Sequence, residues 1–70
     1  MDITFGERLK ALREDAGLSQ RALAKELGLG NTTISAWESN QIPPTLPRLI
    51  LIAQYFGVTI DFLACIKDSE

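Results

Sequence analysis

Three helix starts built on one device govern what this chain can fold into. Leu18 and Leu23 bracket Ser19, Leu29 and Ile34 bracket Gly30, and Val58 and Leu63 bracket Thr59, at one spacing throughout. An apolar residue just before a cap that meets another at the fourth helical position is a hydrophobic staple. A Ser or Thr between them accepts from the free N–H groups of the first turn, and Gly is tolerated there although it has no side-chain acceptor. The first two starts are so close that a short helix over 20–27, a break at Gly28-Leu29-Gly30 and a second helix over 31–39 must follow one another directly. Upstream, Thr4 and Glu7 make a capping box for a helix over 5–16, whose face is Phe5, Leu9, Leu12 and Ala16, with Arg8, Lys10 and Arg13 largely elsewhere; Gly17 stops it. Asn40 tolerates the left-handed conformation needed after the third helix, and Pro43-Pro44 prevents its continuation. Thr45 caps a fourth helix over 46–56 with Pro47 in its first turn, and Gly57 ends it. A fifth helix over 60–66 leads into a frayed tail at 67–70. Val58 is the only valine and no strand-like alternation is sustained, so the fold class is all-α.

Seventy residues make one small domain over 1–70, and a chain this short buries only about 60% of the surface it exposes when unfolded. Such domains need disulfides, a metal or self-association to supplement the core. With Cys65 as the single cysteine and no histidine, helix packing and dimerisation remain. The same absences remove Ser/His/Asp and Cys/His nucleophile systems and the usual zinc ligands, so neither catalysis, a cofactor nor a metal is expected. Nowhere do about 18 apolar residues run together, and no basic segment precedes an apolar one near the start, so a cytoplasmic protein without a membrane partner is expected. The net charge of −2 and a pI near 5.0 do not advertise a nucleic-acid partner. That charge is unevenly spread: six basic and six acidic groups cancel over residues 1–48, and the excess comes from Asp61, Asp68 and Glu70 against Lys67.

A helix, a tight turn and a second helix can read DNA if the first packs across the second and leaves its outer face free. Small Ala24 suits the crossing point, Gly28 the turn, and Leu23, Leu27, Leu29, Ile34 and Trp37 the apolar seam. The remaining face of the second helix of the pair shows Asn31, Thr32, Ser35 and Ala36, which are small or hydrogen-bonding where a bare surface helix carries Glu and Lys pairs. Asn pairs bidentately with adenine and Thr contacts a thymine methyl.

Residues 4–64 resemble the helix-turn-helix domain of the Cro and phage-repressor (XRE-like) family. The likeness is carried by Gly6-Glu7-Arg8-Leu9 with Arg13, Leu18-Ser19-Gln20 through Ala24 and Gly28, Thr33-Ile34-Ser35-Ala36-Trp37-Glu38, Pro44, Ala53 and Gly57-Val58. It implies a compact five-helix bundle of the lambda-repressor-like type, whose third helix enters the major groove of double-stranded DNA. It assigns base readout to Asn31, Thr32, Ser35 and Ala36, and phosphate contacts to Gln20, Ser39, Asn40 and Gln41. It also implies an ion pair between Arg13 and Glu38. Gly30 stands where the family commonly has Ser or Thr, and residues 30–47 contain no Lys or Arg where relatives often do.

Helix four carries a separate signal. Leu46, Leu49, Ile52, Ala53 and Phe56 account for its core face, yet Ile50, Leu51 and Tyr55 are apolar on other faces. With Cys65 and Ile66 they are expected to form a homodimer surface. The function expected is a DNA-binding transcriptional regulator, a repressor occupying a pseudo-palindromic operator as a homodimer. The rival is a module of the same fold that binds a regulator or toxin.

Overall fold

In the computed structural model, which describes residues 3–65, five helices follow in chain order: α1 Phe5–Asp15, α2 Gln20–Leu27, α3 Asn31–Glu38, α4 Leu46–Phe56 and α5 Ile60–Leu63. The described residues contain no strand. Both members of each staple turn inwards: Leu23, Ile34 and Leu63 are fully buried in the core, and Leu18, Leu29 and Val58 pack half-buried against that same core. Ser19 Oγ accepts from the Ala22 N–H, Thr59 Oγ1 accepts from that of Phe62, and the Thr4–Glu7 capping box is complete. Thr45 holds the cap position of α4 without a side-chain bond.

The residues that end one helix also begin the next. Gly17, Gly28, Asn40 and Gly57 adopt φ between 60° and 72°. After each, an N–H donates to the carbonyl five residues back: Leu18 to Arg13 (3.1 Å), Leu29 to Ala24 (2.8 Å), Gln41 to Ala36 (2.9 Å) and Val58 to Ala53 (3.0 Å). Leu18, Leu29 and Val58 therefore close one helix backwards and staple the following one forwards. The path of the chain is set at these junctions.

Helix α3 packs against both α1 and α2, while α5 packs against α4 and α1. Leu9, Leu23, Ala24, Leu27, Ile34, Trp37, Ile52, Ala53 and Leu63 form the core. Phe5 meets Trp37 edge to face at 6.4 Å.

Several expectations change. Leu46 is 61% exposed, not part of the core face. As the first residue of α4, its side chain points past the helix end, beyond the packed body. Ala16 caps the end of α1 in solvent rather than extending its apolar face. Arg8, expected on the outer face, is buried: Nη1 donates to the Phe62 carbonyl at 2.9 Å and the guanidinium lies 4.1 Å from the Phe62 ring centroid. A flat cation can cover a ring and still donate from its edge, so α5 docks on a charge. Helix α5 ends at Leu63, with Cys65 at φ 65°; the expected end at Ile66 and the tail at 67–70 lie outside the described residues.

Gly6 marks the closest approach between elements. A Cβ there would lie 2.5 Å from the Glu38 carbonyl oxygen and 2.6 Å from that of Trp37, so the end of α3 rests on bare backbone of α1. Gly6→Ala is expected to cost about 1–3 kcal/mol through forced separation of the two helices, out of roughly 4–10 kcal/mol for a domain of this size. A lowered urea midpoint checks this, and an unchanged midpoint would show that the contact yields freely.

Candidate nucleic-acid interface

The outer face of α3 is built by what fastens its inner face. Ile34 and Trp37 are buried, and at 3.6 residues per turn this turns Asn31, Thr32 and Ser35 outwards, all three exposed, with Ala36 half-buried beside them. Gly30 caps the helix without a side-chain bond. The only ionisable residue on α3 is Glu38, and it is drawn away from that face. The free face is thus uncharged.

Glu38 belongs to a buried cluster joining three helices. Arg13 Nε donates to Glu38 Oε2 at 2.6 Å and Nη2 to Oε1 at 3.0 Å, a two-pronged pair with side chains 10% and 4% exposed. Arg13 Nη1 donates to the Leu18 carbonyl at 2.7 Å, so the same side chain also clasps the turn before α2. The hydrogen bond to Glu38 raises the Arg13 pKa above its ordinary value, against the opposing effect of burial. Stability held through a raised pKa is present below the unfolded value and is lost only in strong alkali. Arg13 therefore keeps its charge across physiological pH.

Gln20, the first residue of α2, donates from Nε2 to Glu38 Oε1 at 3.0 Å. An amide nitrogen carries two hydrogens, so one anchors the side chain and the other can point to an anion. Lys10, Arg13, Gln20, Ser35, Glu38 and Ser39 line an open cleft of about 270 Å³ along this flank of α3. Lys10 was not singled out from the sequence. The signal was its place three residues before Arg13, which puts both on the α1 face turned to α3.

The segment after α3 divides into committed and uncommitted groups. Ser39 Oγ donates to the carbonyls of Ser35 (3.0 Å) and Ala36 (3.3 Å). Asn40 reaches back to α1: its Oδ1 accepts from the Gly6 N–H at 3.0 Å and its Nδ2 donates to Thr4 Oγ1 at 2.9 Å. The amide thus caps the first helix, and its second Nδ2 hydrogen is left for the phosphate contact that the resemblance implies. Gln41 is exposed beyond it. On the opposite flank of α3, a groove of about 280 Å³ is lined by Thr33, Trp37, Ile42, Pro43, Thr45 and Arg48.

On α4, Ile50, Leu51 and Tyr55 are 38%, 36% and 40% exposed. Tyr55 Oη donates to Glu26 Oε1 at 3.3 Å; partial desolvation, then the nearby Glu26 charge and that bond, hold its pKa above the ordinary value. Cys65 is half-buried, and Ile66 lies outside the described residues. Among the described residues no acid, cysteine or histidine cluster could hold a metal, and no helix is long and apolar enough to cross a membrane.

A family model described as helix-turn-helix matches residues 9–63. The chain belongs to the helix-turn-helix family. Within it, the chain is similar to a transcriptional activator of Enterococcus faecalis, BcrR, at 42% identity over 84% of this chain and 29% of that protein. An uncharacterized helix-turn-helix regulator of Methanocaldococcus jannaschii is 38% identical over 90% of this chain and 96% of its own length. The chain spans less than half of several other curated relatives that it matches. Among solved structures, the P22 c2 repressor in complex with a synthetic operator superposes with a TM-score of 0.82 at 31% identity, covering 87% of this chain and 92% of that one. The five-helix, all-α architecture is thus that of the phage repressors, and the family is one of DNA-binding regulators, not enzymes.

For this helix-turn-helix domain, Arg13→Met alone is expected to cost about 3 kcal/mol, the lower end of the range for stranding one buried charge, because water lies close to every site in a domain this small. Arg13→Met with Glu38→Leu should recover much of that loss. Urea unfolding of both variants checks the pair; equal losses would mean that Arg13 acts through Leu18 rather than through Glu38.

Proposed function

We propose that the chain is a sequence-specific transcriptional regulator, acting as a repressor by occupying a pseudo-palindromic operator as a homodimer in the cytoplasm. The observation that carries this reading is the uncharged, hydrogen-bonding face of α3, held rigidly from behind on a fold similar to a repressor solved on its operator. In this reading Asn31, Thr32, Ser35 and Ala36 read base edges in the major groove. Gln20, Ser39, Asn40 and Gln41 lie beside the sugar–phosphate strands, and Gln20 gains from the free N–H groups and positive dipole end of α2. The interaction-module reading is not favoured, because the similarities run to transcriptional regulators and to a repressor–operator complex.

Association in pairs has its own physical argument. The longest dimension of one copy is 27 Å, whereas successive major grooves on one side of B-DNA lie about 34 Å apart. One copy cannot reach both. The exposed Ile50, Leu51 and Tyr55 on α4 supply an apolar face that a twofold partner would cover.

Binding to selected and random duplexes tests the reading. A selected site should bind about 10³-fold or more tightly than random sequence. Asn31→Ala should relax preference at one or two base pairs while Gln20→Ala weakens every sequence alike; a uniform loss from both would remove the division between reading and positioning residues. Leu51→Glu should halve the mass seen in sedimentation, and an unchanged mass would sink the α4 surface.

A further inference from the structure

We propose that the charge holding this domain to DNA sits on the two flanks of α3 and not on α3 itself: Lys10 from α1 on one side and Arg48 from α4 on the other, each facing one of the phosphate strands that border the major groove. The proposal rests on the DNA-binding reading above.

Helix α3 carries no cation, and its single acid is matched by Arg13. Its two flanks are grooved. Ser35 and Ser39 wall the cleft that holds Lys10 and Gln20, and Thr33 and Trp37 wall the groove that holds Arg48. At about 100° per residue these two walls stand roughly 160° apart around α3, with Thr32 and Ala36 on the arc between them. A helix about 10 Å across fills a major groove about 12 Å wide, so its flanks meet the two bordering strands.

The cations in these grooves are not explained by folding. Neither Lys10 nor Arg48 has an ion pair or side-chain hydrogen bond among the described residues. Arg48 stands in the first turn of α4, where the helix dipole opposes a positive charge and no acid offsets it. Its groove is lined by no carboxylate. On the other flank the only carboxylate, Glu38, already accepts two bonds from Arg13 and one from Gln20. Lys10 thus faces a neutralised wall, and a phosphate oxygen between Lys10 and the second Gln20 hydrogen would meet a charge and a donor together. Each phosphate neutralised by a cation releases counterions, which an uncharged donor does not do.

The test is the slope of log K against log salt on a selected duplex, with the full chain. On an operator holding two copies, Lys10→Gln and Arg48→Gln should each make the slope shallower by about 1.8, one phosphate per copy, and together by about 3.6, with sequence preference unchanged. Arg48→Lys should restore the slope, since it keeps the charge. Lys25→Gln removes the same charge from a position lining neither groove and sets the background. Slopes no shallower than that background, or a change from only one of the two variants, would overturn the two-flank arrangement while leaving DNA binding intact. Failure of the unmodified chain to prefer any duplex would instead overturn the DNA-binding reading.

Discussion

The pair of Arg13 and Glu38 is the tie on which the working face depends. Two charges with side chains 10% and 4% exposed have lost most of their hydration, and such a pair is tolerable only when its geometry and remaining hydrogen bonds are nearly complete. Here they are. Two parallel bonds join the guanidinium to the carboxylate, the Leu18 carbonyl takes a third from Arg13, and Gln20 adds one to Glu38. No buried side-chain nitrogen or oxygen among the described residues lacks a partner. A tie with this much directionality fixes the roll of α3 about its axis, which apolar packing of Ile34 and Trp37 alone specifies less sharply.

The same tie shapes the chemistry of the surface. It removes the one charge of α3 from the electrostatics of the outer face and orients the Gln20 amide at the start of α2. A domain with net charge −2 can then approach a polyanion through neutral donors. The acid excess beyond residue 48 and the cancellation before it were visible from the chain alone. What the fold added was the position of the cations: Arg8 turned inwards onto Phe62, Arg13 buried against Glu38, and Lys10 and Arg48 left in the grooves beside α3.

The helices themselves were legible to within a residue or two, except the end of α5, because their signals are local. A left-handed residue followed by an apolar one both closes a helix and staples the next, and it does so with bonds spanning five residues at most. Trp37 as core and Asn31, Thr32 and Ser35 as the outward face followed from periodicity once Ile34 was placed. Leu46, Arg8 and Asn40 were not legible in the same way. Periodicity says which side of a helix a residue lies on, not whether another element covers that side. Leu46 overhangs the packed body, Arg8 is covered by α5, and the Asn40 amide is captured by the first turn of α1, 34 residues away.

Taken by itself, the chain determined its helices, their junctions, the apolar seam of the α2–α3 pair and the small polar face of α3, since each depends on residues within one or two turns of one another. Only the tertiary structure decided which polar side chains are spent on holding the fold and which remain for a partner. Gly6 against the end of α3, Asn40 on α1 and Arg13 on Glu38 are contacts between segments 25 to 34 residues apart. Whether a hydrogen-bonding group is free is a property of its neighbours in space, and a neighbour brought in from a distant segment leaves no mark in the local pattern.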